Sequence, residues 1–471
     1  MAVLFSPSIR QPSHYFEAEA FTISKPGSPL FAAASSKSIH RSPALAAPLF
    51  ASSLEEDQSA AVEKEETTDL VQAGAELPPA VVRAPLKFIG PYPCLALKFP
   101  NLATESQRSR NQTGISLDFV LDTAANINTL QGQVAQELKL ELLEDSPALP
   151  GVSSAGPMGG GETYVLGDSE LEQAVVVGGE DDETERDRSD EPFEFMQDLT
   201  AAVIPVVNPG SAGLLGLAFF YCFEGGVEFC WGPPPSMQMQ PQDNEPRLVD
   251  GMVVSPVLND DSSPSVTFYG RDDPSVRGVL SGLSRVPIDP IPLTQLPSVK
   301  IRVNGVEMVA LLDTGSPITV LNQRAAEAAG VQTTKESMEA AASAKESSKG
   351  GGWNPFSSVV DKFKEAQATA EAASRGDILM IGGIDGQPTT LYRSTGSDLG
   401  ISLVGDSEGE DVSLVGSDGN DNSRVYVGDI PGLAALNGIG VDSPPAVVLG
   451  LDVLRQRPKM VFRPRENALY I

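Results

Sequence analysis

Two segments of the chain repeat one pattern, 191 residues apart. "ISLDFVLDTAANINTL" begins at Ile115 and "VEMVALLDTGSPITVL" begins at Val306, so that Asp122 aligns with Asp313. In each copy an apolar, strand-like run leads into an Asp-Thr turn, and a segment with helical spacing follows. A lone Asp-Thr-Gly is weak evidence, because any turn after a strand uses such residues. Its repetition in the same order of parts predicts an internal duplication and two similar lobes.

Each copy is followed much later by an apolar-Gly-apolar segment. These segments are "GLLGLAFF" from Gly213 and "VVLGLDVL" from Val447. We interpret both as strands, in which Gly216 and Gly450 allow close backbone approach. Ordinary strand packing is the alternative reason for these glycines.

The histidine and cysteine content limits the possible chemistry. The two histidines, His14 and His40, lie in the N-terminal tail, and the three cysteines, Cys94, Cys222 and Cys230, form no Cys-x-x-Cys pair. Sparse, odd cysteines favour a reducing compartment over a disulfide framework. Catalysis by serine or cysteine with a histidine base, and zinc held by histidine, are therefore excluded from the folded part. Carboxylates remain for acid-base work, and we predict neither a metal site nor a cofactor.

Net charge and hydropathy restrict the partners. The formal charge is −30 and the pI is about 4.4, which argues against a nucleic-acid partner and against an anionic membrane surface. No apolar run approaches the roughly 20 residues that a membrane-spanning helix needs. We therefore expect a soluble protein that has no nucleic-acid or membrane partner.

Shifts in composition divide the 471-residue chain. Acidic and Pro-rich stretches read as linkers, and a Gly-rich start followed by an Ala/Lys/Glu helix reads as an insert. The helix of this insert could dock a partner, or the insert could simply cap the domain. The predicted parts are a transit peptide at 1–50, a disordered acidic linker at 51–82, a first lobe at 83–232, a connector at 233–282, and a second lobe at 283–471 with an insert at 335–375.

Residues 1–50 are rich in Ser, Ala and Pro, carry several basic residues, and have Glu17 and Glu19 as their acids. This composition is typical of a plastid transit peptide, and it lacks the apolar core of a secretory signal. An ordinary disordered tail is the alternative. The sequence thus predicts a plastid (chloroplast) location, or otherwise a cytoplasmic one.

The two Asp-Thr turns and the downstream "LGLDVL" at 449–454 resemble the aspartic proteases. The likeness is greater to the retropepsin-like group than to the pepsin group, with two lobes fused in one chain, and it extends over residues 84–471 apart from the inserts. It implies a mostly β, two-lobed acid-protease (retropepsin/pepsin-like) β-barrel fold with short helices. It also implies an aspartic endopeptidase that acts on a peptide or protein substrate.

By this resemblance, Asp122 and Asp313 form the catalytic dyad. Two carboxylates within a few ångströms cannot both ionise easily, so they share one proton. The ionised member takes a proton from a water that attacks the scissile carbonyl, while the protonated member hydrogen-bonds the carbonyl oxygen. Thr123 and Thr314 would bond across to the backbone of the opposite loop, and Gly216 and Gly450 would brace each loop from below.

The two turns differ after the threonine. Ala124 and Ala125 in the first copy stand where the second has Gly315 and Ser316. A Cβ at position 124 is tolerable where φ is negative and harmful where φ is positive. We expect the Ser316 hydroxyl to donate to the neighbouring carboxylate, so that the second aspartate carries the charge and the first carries the shared proton.

Three alternatives remain at this point. The chain could be a catalytically inactive pseudoprotease that binds peptides or a protein partner through its cleft, because Ala124 replaces the motif glycine. Each lobe could pair with another molecule, although one chain supplies both halves and we expect a monomer. Gly-rich segments at 156–161 and 382–386 could be flaps that close over a substrate, or merely loops.

Overall fold

A computed structural model describes much of the chain outside the N-terminal tail. The described residues are 3–4, 81–143, 151–153, 156–158, 161–177, 193–204, 210–232, 247–249, 252–254, 263–270, 274–292, 294–336, 370–382, 388–395, 399–406, 411–415 and 425–471. Both predicted lobes belong to one compact unit that includes Gln72–Ile471. The predicted transit peptide, apart from residues 3–4, and nearly all of the predicted linker lie outside the described residues.

Strands dominate the described residues. Those of the first half are β1 (Val3–Leu4), β2 (Val81–Pro85), β3 (Lys87–Ile89), β4 (Tyr92–Phe99), β5 (Ile115–Leu121), β6 (Thr129–Leu130), β7 (Glu141–Leu142), β8 (Gly151–Ser153), β9 (Gly156–Met158), β10 (Thr163–Leu171), β11 (Val175–Val177), β12 (Phe193–Val203), β13 (Gly213–Leu215), β14 (Gly226–Cys230), β15 (Arg247–Val249), β16 (Met252–Val254) and β17 (Ser265–Tyr269). Those of the second half are β18 (Arg285–Pro287), β19 (Asp289–Pro290), β20 (Pro297–Val303), β21 (Val306–Leu312), β22 (Val320–Leu321), β23 (Gln332–Thr333), β24 (Ile378–Gly382), β25 (Pro388–Thr395), β26 (Ile401–Leu403), β27 (Val412–Val415), β28 (Tyr426–Val427), β29 (Ala446–Leu449), β30 (Lys459–Arg463) and β31 (Ala468–Tyr470).

The helices are short. They are α1 (Glu105–Ser109), α2 (Gly132–Leu138), α3 (Leu217–Phe220), α4 (Pro274–Leu280), α5 (Gln323–Ala328) and α6 (Leu451–Leu454), with 3₁₀ helices at Pro431–Leu436 and Pro464–Glu466. Residues 370–374 at the end of the predicted insert are also helical. No helix among the described residues has the length and apolarity needed to cross a membrane.

The same strand arrangement recurs in the two lobes. In the first, β13 lies parallel to β5 and antiparallel to β6, and β6 pairs in parallel with β12. In the second, β29 lies parallel to β21 and antiparallel to β22, and β22 pairs in parallel with β28. Since the strands that carry the repeat occupy equivalent places, the structure contains the duplication that the sequence predicts.

A third sheet joins the halves. Its strand order is β11-β2-β17-β14-β30-β31-β18, and β14 of the first half pairs antiparallel with β30 of the second. The central Glu228 is buried, accepts a bond from the hydroxyl of Tyr269, and pairs with Lys459 at 2.7 Å. A buried carboxylate needs such partners, because an unpaired charge in the interior is costly.

Part of the predicted connector belongs to this sheet. The range 233–282 contains β17, whose five residues are all buried and which pairs with β14 and with β2. It also contains helix α4. The Pro-rich composition of residues 233–246 indicated a linker, but composition alone could not show that the chain returns to pair with the first half.

The sequence led us to expect that the apolar-Gly-apolar segments are continuous strands, and this expectation is wrong. Each is a strand, a glycine and a single helical turn: β13, Gly216 and α3 in the first lobe, and β29, Gly450 and α6 in the second. A run of apolar residues has no periodicity that separates a buried strand from a buried helix. The helical turns bury their apolar side chains in the main core.

Candidate active site

The two Asp-Thr turns follow directly from the ends of β5 and β21. The Asp122 side chain is 1% exposed and that of Asp313 is 0% exposed. The Asp122 amide donates to the carbonyl of Leu215 at 3.0 Å, and the Asp313 amide donates to that of Leu449 at 3.1 Å. The central strand of each lobe, β13 or β29, therefore fixes the backbone from which each carboxylate projects.

Reciprocal threonine bonds lock the turns together. The Thr314 hydroxyl accepts from the Thr123 amide at 3.0 Å and donates to the Leu121 carbonyl at 2.7 Å. The Thr123 hydroxyl accepts from the Thr314 amide at 3.1 Å and donates to the Leu312 carbonyl at 2.8 Å. Each hydroxyl thus uses its donor and an acceptor lone pair on the opposite lobe. Both threonines lie where the resemblance to aspartic proteases implies.

The two carboxyl groups interact directly. The pKa of Asp122 is raised to about 7, mainly by burial and then by the charge of Asp313 and a hydrogen bond between the two side chains. The Ala124 amide has the opposite effect and lowers this pKa. That amide donates to Asp122 Oδ1 at 2.9 Å. Two like charges in one buried site favour a single shared proton. The raised pKa favours that proton on Asp122, the side that we expected from the sequence.

The reason that we gave for this proton position is wrong. The Ser316 hydroxyl donates to the carbonyl of Ile318 at 2.8 Å rather than to Asp313. A single hydroxyl proton can serve one strong acceptor, and here it closes the turn of its own loop. Burial and mutual charge account for the raised pKa of Asp122 instead.

The third motif position shows how closely the two turns meet. A Cβ built on Gly315 would lie 2.4 Å from the carboxyl carbon of Asp122, so that only glycine fits there without a shift. Ala124 occupies the equivalent place in the first turn, where it is fully buried. The backbone φ of Ala124 is not positive, so the alanine causes no backbone strain.

Gly216 and Gly450 lie directly beneath the turns. A Cβ on Gly216 would be 2.5 Å from the carbonyl oxygens of Ala125 and Ile127, and one on Gly450 would be 2.3 Å from that of Ile318. Their successors complete the contact, since Leu217 donates to Ala125 at 2.7 Å and Leu451 donates to Ser316 at 2.9 Å. The close approach requires glycine in both lobes.

Our sequence reasoning missed Tyr92, the first residue of β4. Its side chain is 8% exposed and packs in a cluster that includes Ala125 and Val120. Burial, followed by the charges of Asp313 and Asp122, raises the pKa of Tyr92 to about 12. Its hydroxyl therefore stays protonated beside the dyad. The sequence carries no signal for this, because the strand pairing that brings β4 beside β5 is a tertiary feature.

A second missed group is Asp452 on α6. Its carboxylate accepts from the Thr319 amide at 2.9 Å and from the Thr319 hydroxyl at 2.6 Å. Burial raises the pKa of Asp452 to about 6, against the effect of these bonds. One sequence signal could have pointed to the contact between Thr319 and Asp452. Both positions differ in the first lobe, where Asn128 aligns with Thr319 and Ala218 aligns with Asp452.

The predicted flaps fall on two hairpins. Residues 156–158 form β9, which pairs with β8, and β9 contacts the 3₁₀ helix Pro431–Leu436 of the second lobe. Gly382 ends β24, which pairs with β25 and, on its other side, with β1. The remainder of both Gly-rich segments, apart from Gly161, lies outside the described residues.

The described residues contain no group of three or more His, Cys, Asp or Glu side chains arranged to hold a metal ion. The chemistry that this site can supply is that of two coupled carboxyl groups in a buried, water-poor setting. Such a pair can exchange a proton with a bound water or a substrate oxygen.

One comparison with known proteins matches the part of the chain that contains the second turn. Residues 299–370 match the sequence model of the family described as aspartyl protease. A search of curated proteins gave no match. Solved structures that align with the chain include basic 7S globulin from soybean (TM-score 0.38, 12% identity, 83% of this chain and 95% of that one), conglutin gamma from lupine seeds (0.39, 12%, 83% and 95%) and edgp (0.38, 12%, 84% and 95%). At 12% identity these alignments say nothing about activity.

The chain thus has an aspartic protease-like fold. It is mostly β, with two lobes that share one strand arrangement and a few short helices. The fold class expected from the repeated Asp-Thr turns is confirmed.

Proposed function

We propose that the protein is an aspartic-type endopeptidase that hydrolyses peptide bonds with the Asp122/Asp313 dyad. The observation that carries this proposal is the direct interaction of two buried carboxyl groups, held by reciprocal threonine bonds between the lobes. A protein that needed these aspartates only as turn residues would have no reason to bury two carboxyl groups against each other, which costs several kcal/mol per ion.

Each carboxyl group has its own role in the proposed mechanism. Asp313, ionised, accepts a proton from a water molecule, whose oxygen attacks the carbonyl carbon of the scissile peptide bond. Asp122, protonated, donates a hydrogen bond to the carbonyl oxygen and stabilises the charge that develops there. The proton of Asp122 passes to that oxygen and gives a neutral gem-diol. The gem-diol collapses when Asp313 gives its proton to the leaving nitrogen and the carbon–nitrogen bond breaks. A diol hydroxyl returns its proton to Asp122, which leaves the carboxylic acid and amine products and the singly protonated dyad. The mechanism needs no metal and no covalent intermediate.

The pKa of Asp122 sets the pH range that we expect. The singly protonated dyad persists until the pH rises through about 7, where Asp122 loses its proton. Cleavage should therefore be maintained in mildly acidic solution and should fall above about pH 7. The decrease should follow one proton, since one shared proton is lost.

A peptide-binding pseudoprotease is the second candidate, and Ala124 is the observation that favours it. It aligns with Gly315, where an added Cβ would collide with Asp122, so an alanine at this place could displace a carboxylate of the dyad. A displaced carboxylate could still line a peptide-binding cleft while failing to activate water. Partner recognition through that cleft would then be the function.

Cleavage of a peptide library between pH 4 and pH 8 distinguishes the two candidates. We expect the wild type to cleave, an inhibitor of aspartic proteases to block the cleavage, and Asp122→Asn and Asp313→Asn each to lower kcat by at least about 10³-fold. Asp289→Asn, which removes an exposed carboxylate in β19, is the matched control and should cleave normally. Peptide binding in calorimetry without cleavage at any pH would support the pseudoprotease and overturn the endopeptidase.

We also propose that the active species is a monomer, because both aspartates come from one chain. Sedimentation of the active protein should give the monomer mass. A dimer whose activity returns on mixing Asp122→Asn with Asp313→Asn chains would contradict this. The peptide substrate class, the absence of nucleic-acid and membrane partners, and the plastid location stay predictions.

A further inference from the structure

The two lobes hold their active-site turns from below in different ways. In each lobe a glycine precedes the short helix beneath the turn, and its backbone amide donates a hydrogen bond to a side chain. The residue that accepts this bond lies six positions after the catalytic aspartate of the same lobe. In the second lobe Gly450 donates to the hydroxyl of Thr319 at 3.0 Å. In the first lobe Gly216 donates to Oδ1 of Asn128 at 3.1 Å.

The second lobe adds a carboxylate to this contact. Asp452 Oδ2 accepts from the Thr319 amide, and Oδ1 accepts from the Thr319 hydroxyl, at 2.9 and 2.6 Å. The hydroxyl is thereby turned so that its lone pairs face Gly450. The three groups form a directed chain from an amide through a hydroxyl to a carboxylate, in which each bond polarises the next.

The first lobe achieves the same contact with one neutral side chain. Asn128 accepts from Gly216 through its oxygen, and its amide nitrogen donates to the Thr200 carbonyl of β12 at 3.3 Å. The residue that aligns with Asp452 is Ala218, which has no polar side chain to offer. Asparagine orients itself through both ends of its amide, whereas threonine depends on the carboxylate.

The Thr319–Asp452 bonds act on the turn that carries Asp313. The turn from Asp313 to Thr319 is fixed at its start by the bond from the Asp313 amide to Leu449, and near its middle by the bond from Leu451 to Ser316. Asp452 fixes its end. All three contacts come from the continuous segment 449–452, so a shift of α6 moves the whole turn.

We propose that Asp452 is a positioning residue for Asp313, and that Thr319 with Asp452 and Asn128 with Ala218 are interchangeable ways to hold a dyad turn. Without the carboxylate, the Thr319 amide and hydroxyl lose their acceptor, and the end of the turn opens. This proposal rests on the proposed function only for its effect on catalysis, since the effect on the turn exists whether or not the protein cleaves peptides.

Exchange of the two pairs between the lobes provides the test. Asp452→Ala removes the acceptor, and the double change Thr319→Asn with Asp452→Ala transplants the first-lobe pair into the second lobe. Asp442→Ala, which removes an exposed carboxylate from the neighbouring loop, is the control. Asp452→Asn, which keeps the volume and one acceptor oxygen, replaces Asp452→Ala if that variant does not fold.

The first readout is amide hydrogen exchange at Thr319 and Leu451, with carboxyl carbon NMR of the dyad. Asp452→Ala should speed exchange at both amides by about tenfold or more, because the end of the turn loses its bonds to a carboxylate acceptor and opens more often. It should also move the pH at which Asp122 titrates. The double variant should restore slow exchange at Leu451 and the wild-type titration, and the control should match the wild type in both.

The second readout is the split between kcat and KM. Asp452→Ala should lower kcat by about 10²-fold with KM little changed, because a displaced catalytic group impairs the chemical step more than substrate binding. Unchanged exchange at Leu451 in Asp452→Ala, or a double variant no better than the single one, would overturn the proposal. A wild type that cleaves nothing would instead count against the endopeptidase, and exchange and titration would still decide the role of Asp452.

Discussion

The two active-site turns have the same backbone surroundings but different side chains. Each leaves a strand that is paired in parallel with the central strand of its lobe, and each has a glycine and a helical turn beneath it. Four of their aligned differences bear on the site: Ala124 against Gly315, Ala125 against Ser316, Asn128 against Thr319, and Ala218 against Asp452.

The threonines of the two turns stayed alike, and each lobe provides its threonine for the other lobe. Thr123 and Thr314 each bond the backbone of the opposite turn, so a change in one leaves buried polar groups in the other lobe without a partner. Three of the positions that diverged form contacts inside their own lobe, where a second change can compensate. The exception is Ala124, whose counterpart Gly315 faces the opposite carboxylate.

The largest expected effect is therefore at the third motif position. Gly315→Ala should lower kcat/KM by at least about 10²-fold, because the new methyl group would lie 2.4 Å from the carboxyl carbon of Asp122 and would displace it. Ala124→Gly should raise kcat, since it gives the first turn the glycine that the second turn has at this position. Steady-state kinetics on one peptide measures both changes.

Gly315→Ala and Ala124→Gly should not change the rate of cleavage by the same factor in opposite directions. The wild-type fold has already adjusted to Ala124, so the gain from Ala124→Gly should be smaller than the loss from Gly315→Ala. Normal activity in Gly315→Ala would contradict the close approach of the two turns.

The threonine pair should show equal effects in the two lobes. Thr123→Val and Thr314→Val each remove a hydroxyl that makes two buried bonds, so each should lower the free energy of unfolding by roughly 2–4 kcal/mol. Thr→Ser at either position keeps the hydroxyl and should lose much less. Chemical denaturation measures the four variants, and a loss confined to one lobe would contradict the reciprocal arrangement.

The pH dependence of stability should depend on Asp122. Because its pKa is raised from 3.8 to about 7 on folding, the native state holds a proton that the unfolded chain releases between these values. The free energy of unfolding should thus fall as the pH rises from about 4 to about 7. In Asp122→Asn this slope should shrink, with a gain on the order of 1–3 kcal/mol relative to wild type above pH 7.

Thermal unfolding at several pH values measures this slope. The Asp289→Asn variant keeps the buried dyad and should retain the wild-type slope. An unchanged slope in Asp122→Asn would show that the dyad is not the source of the pH dependence.

The smallest effect is expected at Ser316. Ser316→Ala removes the bond to the Ile318 carbonyl and should cost about 1 kcal/mol of stability, without moving the pH at which the dyad titrates. Carboxyl carbon NMR of the dyad tests the second statement. A shift in that titration would instead support the direct bond from Ser316 to Asp313 that we first expected.

Local patterns predicted the elements near the site well. The apolar run before the second turn was predicted to be strand-like and forms β21, Val306–Leu312. The helical spacing after the second turn predicted α5, which Asn322 caps by accepting from the Ala325 amide. The apolar segments at Gly216 and Gly450 were wrongly interpreted as continuous strands, because a four-residue helical turn has too little length to show a period.

The sequence by itself determined the duplication and the pair of aspartates, because a repeat of 16 residues in register leaves few folds in which both copies are buried alike. Only the tertiary structure decided which groups act on that pair. Tyr92, Asn128 and Asp452 reach the turns through strand pairing and helix packing between residues distant in the chain. Ser316, adjacent in sequence, turns its hydroxyl elsewhere. Hydrogen bonds and buried charges depend on distance and direction in space, which chain position alone does not specify.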